Sequence, residues 1–84
     1  MAMPRVPRDV SGIEIARKLE AYGYQVTRQT GSHMRLTRNA SGLDQHVTIP
    51  RHSALRVGTL NGILNEVAVQ LETTKEVLLR EMFG

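Results

Sequence analysis

Three short runs of alternating apolar and polar residues, set between segments with helical spacing, constrain this chain most. The runs are "YQVTRQT", "HMRLTR" and "HVTIP", at residues 24–30, 33–38 and 46–50. Successive side chains of a strand point to opposite faces, so alternation over these lengths predicts strands that are buried on one face only. Strand runs flanked by helices favour an α+β fold, in which helices cover one face of an antiparallel three-stranded sheet. The predicted order is α-β-β-β-α-α.

The first helix is predicted over "SGIEIARKLEAYG", residues 11–23. Ser11 and Glu14 stand three residues apart, as in a capping box, and Gly23 is placed to end the helix. Apolar residues at helical spacing predict a buried stripe that comprises Ile15, Ala16, Leu19 and Tyr22.

Two further helices are predicted after the strands. Thr59 is the expected N-cap of the second helix, whose apolar face comprises Leu60, Ile63, Leu64, Val67 and Ala68. Thr73 and Glu76 form the expected capping box of a short final helix in "TTKEVLLREMF".

The strand parity separates apolar from polar side chains. Met34 and Leu36 are predicted to face the core, whereas His33, Arg35 and Thr37 face outward. In the third strand Val47 and Ile49 face inward while His46 and Thr48 face outward. Gly31-Ser32 and the cluster Asn39 to Gly42 are the predicted turns.

The length of 84 residues allows one small domain, predicted at residues 11–84 behind an irregular arm at 1–10. A chain of this size can bury a modest core but no deep pocket, so any chemistry would take place at the surface. The absence of cysteine excludes disulfides, thiol nucleophiles and thiolate metal sites, and suits a cytoplasmic protein. No segment predicts a membrane span, because "GILNEVAVQL" is short and interrupted by Asn65 and Glu66.

The net charge of +3 is unevenly distributed. Between residues 28 and 56 there are five arginines and a single acid, Asp44, whereas residues 59–84 contain two bases and four acids. The guanidinium fork binds phosphate bidentately, so a basic segment built from arginine favours a phosphate-bearing partner. A solvated strand face is the plain alternative.

All three histidines lie in the same basic window. Histidine is the side chain that can exchange protons near neutral pH, so His33, just past the Gly-Ser turn, is a candidate acid/base group. From the residues alone, a turn histidine that satisfies a backbone carbonyl is the favoured interpretation. The candidates for binding phosphate are Arg28, Arg35, Arg38, Arg51 and His52.

The other histidine roles are weaker. His52 could be a second proton donor but is expected to order its loop or contact phosphate, and His46 is expected to be an exposed strand residue without a role. The spacing of residues 33, 46 and 52 matches no usual zinc pattern, so we predict no metal and no cofactor.

Three blocks, "LEAYGYQVTRQTGSHMRL", "HVTIPRH" and "GTLNGILNEVA", resemble the HicA (YcfA-like) family of bacterial toxins in order and spacing. The resemblance runs from about Ser11 to about Met82. It implies a fold like that of double-stranded-RNA-binding domains (dsRBD-like), ribosome-independent cleavage of mRNA, and inhibition by a HicB-like antitoxin. It also implies that His33 is catalytic, with Gly31 and Ser32 shaping its corner.

The leading hypothesis is therefore a toxin of a toxin-antitoxin system that acts as an endoribonuclease (mRNA interferase). The alternative is an RNA-binding module of the same fold without catalysis. A third hypothesis takes "TLNGILNEVAVQLETTKEVL" as a helix-turn-helix that binds DNA, but that segment carries the acidic excess, which would repel phosphate.

Overall fold

The computed structural model describes residues 6–84. Half of the predicted arm, residues 1–5, lies outside the described residues. Residues 6–10 form no helix or strand, but Val10 is buried in the core and its carbonyl accepts a hydrogen bond from the Leu55 amide at 2.7 Å. The end of the arm is thus attached to the domain.

Helix α1 spans Gly12–Leu19, and a 3₁₀ turn follows at Glu20–Tyr22. Ser11 is the N-cap, as predicted, and its hydroxyl accepts a hydrogen bond from the Glu14 amide at 3.0 Å. This bond satisfies one of the amides that a helix start leaves unpaired. The turn ends at Gly23 with a left-handed φ of 94°.

The buried stripe of α1 is confirmed except at its end. Ile15, Ala16 and Leu19 are buried, but Tyr22 is only half-buried and Tyr24 is fully buried instead. The prediction for Tyr22 was wrong because the 3₁₀ turn and the left-handed residue after it change the direction of the chain.

Three antiparallel strands form one sheet in the order β1-β2-β3: β1 at Gln25–Thr30, β2 at His33–Ala40 and β3 at Leu43–Pro50. The β2–β3 turn is shorter than predicted, because only Ser41 and Gly42 lie outside the strands. Both have a positive φ, 54° and 82°, which suits a two-residue hairpin turn. Asn39 and Ala40 therefore remain paired in the sheet.

The helices after the sheet begin at other residues than predicted. Helix α2 spans Val57–Gln70 with Arg56 at the N-cap, so Thr59 lies inside its first turn. Helix α3 spans Lys75–Phe83, and its N-cap is Thr74, whose hydroxyl accepts from the Val77 amide at 3.2 Å. Thr73 lies one residue before this cap, and its amide donates back to Ala68 at 2.9 Å at the end of α2.

The core lies between the sheet and the helices. The inward strand residues are buried as predicted: Met34, Leu36, Val47 and Ile49. They pack with the apolar faces of the helices, which include Leu60, Leu64, Val67, Leu78 and Leu79. This arrangement confirms the α+β fold and is consistent with a dsRBD-like one. No helix within residues 6–84 is long and apolar enough to span a membrane.

Candidate active site

The turn between β1 and β2 presents His33 to solvent. Gly31 and Ser32 form the turn, and all three residues, which we call the corner, are exposed. Gly31 has a φ of 55°, while an added Cβ would meet no atom within 4 Å. The glycine is therefore favoured by the backbone conformation and not by lack of space. Ser32 Oγ lies 3.5 Å from His33 Nδ1, at the outer limit of a hydrogen bond.

The end of β3 lies beside the corner. His33 pairs with Pro50 in the sheet register, and the Arg51 amide donates a hydrogen bond to the Ser32 carbonyl. The side chains of Arg51 and His52 are exposed next to this contact. The structure thus brings two of the predicted phosphate-binding residues to the corner.

The first residue of α1 holds the same segment from the other side. The Gly12 amide donates to the His52 carbonyl at 2.9 Å, and a Cβ on Gly12 would collide with the Pro50 carbonyl. Only glycine permits this close approach. Sequence reasoning missed Gly12, because a glycine directly after an N-cap residue gives no signal of a long-range contact.

Arg28 and Arg35, which we call the arginine pair, lie directly opposite each other on β1 and β2. Both are exposed. Arg35 shares the face of His33, since the two are separated by one residue in β2. We call this helix-free face of the sheet the open face. Like charges directly opposite are unfavourable, whereas an anion between two guanidinium groups can bind both.

The structure does not bring Arg38 to this face. It lies at an even position of β2, with Met34 and Leu36, and is half-buried. Its Nε donates to the Tyr22 carbonyl at 3.0 Å and its Nη1 donates to Gln45 Oε1 at 2.5 Å. Strand parity turns the Arg38 guanidinium away from the face of His33 and toward the helices, so its predicted contact with phosphate stays a prediction.

A polar cluster that the sequence did not reveal lies further along the open face. Thr37 Oγ1 is 2.9 Å from His46 Nδ1 and 2.6 Å from Thr27 Oγ1. Strand parity places Thr37 and His46 on the outward face, but their contact depends on the register between β2 and β3. The residue pattern alone does not fix that register.

The two tyrosines lie at the helix side of the molecule. Burial, with a hydrogen bond to Glu81 and the charge of that carboxylate, raises the pKa of Tyr22 to about 12. Burial also raises the pKa of Tyr24, against a smaller opposing effect of Arg38. Both phenols therefore stay protonated near neutral pH, so neither is a candidate general base.

Within residues 6–84, no group of three or more His, Asp or Glu side chains is placed to hold a metal ion. The cluster at His46 and the corner at His33 are separate: Thr37, the partner of His46, lies four residues along β2 from His33, which is about 13 Å.

Comparison with known proteins gives a family. No curated protein and no solved structure matches the chain. The model of a family described as the HicA toxin of bacterial toxin-antitoxin systems matches residues 12–69, which is more than half of the chain. The matched segment contains the corner, the arginine pair and the end of β3, whereas α3 lies beyond it. The chain therefore belongs to the HicA toxin family of bacterial toxin-antitoxin systems.

Proposed function

We propose that this HicA-family toxin is an endoribonuclease that cuts mRNA without a metal, and that His33 is its catalytic acid/base. The observation that carries the proposal is the position of His33, exposed at a hairpin corner on the same face as two opposed arginines. A nucleic-acid backbone can reach the ring there, and the positive charge that its phosphate needs lies along the same strand.

The chemistry needs one proton to move twice. Neutral His33 takes the proton of a ribose 2′-hydroxyl, whose oxygen forms a bond to the adjacent phosphorus. The bond between phosphorus and the 5′-oxygen then breaks, and the charged ring gives its proton to that oxygen. The products are a 2′,3′-cyclic phosphate and a free 5′-hydroxyl. Atoms and charge balance without a further reactant, and histidine suits both steps near neutral pH.

The arginines stabilise the negative charge that grows on phosphorus. Arg35 and Arg28 lie next along the face from His33 and can share one phosphate. In other enzymes, loss of one such preorganised donor costs roughly 10²–10³ in rate. Arg51 and His52 flank the corner and contact the neighbouring phosphates of the strand.

A toxin of this family acts with an antitoxin, and we propose a HicB-like protein that covers the corner. Because the open face is basic, an inhibitor with acidic groups would associate with it faster and would exclude RNA. The toxin would act in the cytoplasm, where mRNA is available.

The test is cleavage of mRNA by the pure toxin in excess chelator. His33→Ala should reduce the rate by roughly 10²–10⁴-fold and abolish growth arrest in cells, with an unchanged thermal unfolding midpoint. The matched control is Gln29→Ala, an exposed residue of the same hairpin at the opposite strand parity. It should cleave like the wild type. Full activity of His33→Ala would refute the assignment.

The same assay separates the alternatives. RNA that is shifted in a gel but stays uncut by the wild type would favour the non-catalytic binding module. Tight, salt-sensitive binding of duplex DNA would favour the helix-turn-helix hypothesis. Cleavage in chelator that requires His33 supports the enzyme.

A further inference from the structure

The polar cluster of Thr27, Thr37 and His46 lies on the open face but too far from His33 to take part in its chemistry. Each strand contributes one member, and each side chain contacts the next. Thr27 Oγ1 also donates to the Arg35 carbonyl at 3.3 Å. The cluster is therefore attached to the backbone of Arg35, one of the two residues of the arginine pair.

His46 is also held from the core side. Gln70 of α2 donates through Nε2 to the His46 carbonyl at 2.7 Å, and the buried Tyr24 donates its hydroxyl proton to Gln70 Oε1. Both the backbone and the ring of His46 are thus fixed. A strand histidine that only served solubility would need neither contact.

One arrangement of protons satisfies all three contacts of the cluster. In it Thr27 donates to the Arg35 carbonyl and accepts from Thr37, and Thr37 accepts from Nδ1–H of His46. In the neutral ring Nε2 is left with its lone pair, free to accept a hydrogen bond. His46 is only half-buried as a residue.

Charge indicates what binds along this face. The corner and the arginine pair are followed by the cluster. Asp44 is the single acid among the strand residues 25–50, and it lies two residues from His46, where its Oδ1 accepts from Asn39 Nδ2 at 3.0 Å. An RNA strand with its scissile phosphate at His33 would follow these positive groups. The ribose 2′-hydroxyl can donate a hydrogen bond, and it distinguishes RNA from DNA.

We propose that His46 Nε2 accepts a hydrogen bond from a ribose 2′-hydroxyl of the substrate strand, outside the nucleotide that is cut. Thr37 and Thr27 position the ring for this contact. The inference rests on the proposed function, because the same strand must hold its scissile phosphate at the corner. The open face would then select RNA over DNA at two points. One is the 2′-hydroxyl that His33 deprotonates, and the other is the 2′-hydroxyl that His46 binds.

The experiment uses RNA oligonucleotides that keep the ribose at the cleaved position and carry one 2′-deoxy nucleotide elsewhere, one position at a time. For the wild-type toxin, kcat/KM should fall roughly two- to tenfold at one position on one side of the cut, the effect of losing one hydrogen bond. In His46→Ala the same deoxy nucleotide should have no further effect, so the two losses do not add.

Two more variants sharpen the result. Thr37→Val removes the hydroxyl that orients the ring and should weaken the deoxy effect. Thr48→Val, which lies opposite Arg35 on the same face but outside the cluster, should keep the full effect. If His46→Ala does not fold, as judged by its thermal unfolding, Thr37→Val alone decides the question.

The failures are distinguishable. RNA left intact by the wild type would overturn the proposed function and this inference together. Normal cleavage with an unchanged deoxy effect in His46→Ala and Thr37→Val would overturn the inference alone. Weaker antitoxin binding by His46→Ala, with the deoxy effect retained, would also overturn it and would make the cluster a protein contact.

Discussion

The two faces of β2 differ in whether their charged side chains have hydrogen-bond partners within the domain. On the covered face, which packs against the helices, Met34 and Leu36 are buried, and Arg38 donates from Nε to Tyr22 and from Nη1 to Gln45. On the open face Arg35 lies opposite another arginine. Within the described part of the chain, no buried side-chain polar atom lacks a partner.

This difference separates stability from function along one strand. On the covered face, the side chains pack in the core or form hydrogen bonds within the domain. These residues therefore contribute to the stability of the fold. On the open face, two exposed arginines lie opposite each other, and their repulsion lowers the stability of the fold. An anion that binds between them would offset this repulsion. Neighbouring residues of β2 should therefore fail in different ways when they are changed.

The largest expected effect compares the neighbours Leu36 and Arg35. Leu36→Ala should lower the free energy of unfolding by about 2–5 kcal/mol, because it leaves a cavity under the sheet. Arg35→Ala removes a like charge opposite Arg28 and should change it by no more than about 1 kcal/mol, yet slow RNA cleavage by roughly 10²–10³-fold. Urea unfolding and cleavage assays measure the two quantities. Equal stability losses in both variants would remove the distinction between the faces.

A smaller effect is expected at the helix side, from Tyr22→Phe. The Tyr22 hydroxyl donates to Glu81 Oε1 at 2.8 Å, so its loss should lower the free energy of unfolding by about 0.5–1.5 kcal/mol near neutral pH. Cleavage should not change, because this contact lies away from the corner.

The same variant has a pH signature. The folded-state pKa of Tyr22 is about 12 against an ordinary value of 10.0, so the unfolded chain loses the proton first. The stabilisation is complete below pH 10 and disappears as the pH rises toward 12. The difference between the wild type and Tyr22→Phe should therefore shrink across this window in urea titrations. A constant difference would show that the hydroxyl is not the cause.

The smallest expected effect concerns the arginine pair. Arg28→Gln should raise the free energy of unfolding by about 0.2–1 kcal/mol in low salt, because it removes a like charge opposite Arg35. Added salt should reduce the gain. The control is Arg17→Gln on the exposed face of α1, which should give no gain. A loss of stability in Arg28→Gln would mean that the two guanidinium groups do not repel each other in the free protein.

Alternation and helical spacing were sufficient to predict the order of elements and the faces of β2. Met34 and Leu36 are buried while His33 and Arg35 are exposed, as their parity required. The wrong predictions lie where the backbone departs from the regular repeat of a helix or strand. Tyr22 has the spacing of a buried residue, but a 3₁₀ turn moves it outward.

The candidate site was predictable only in part. The turn glycine and the nearby histidine indicate an exposed corner, and the catalytic role proposed for His33 came from the family resemblance. The arginine pair and the cluster at His46 depend on which residues face each other across strands. A β-bulge between Val26 and Arg28 shifts that pairing, and no pattern in the sequence marks it.

The Gly12–His52 hydrogen bond joins the beginning of the first helix to the second residue after the sheet. The amide of the neighbouring Arg51 donates to the Ser32 carbonyl. The shape of the corner therefore depends on the start of α1 and the end of β3, which meet only in the folded domain. The proposed active site would therefore take its shape only after His52 has left the ribosome and docked against the first helix.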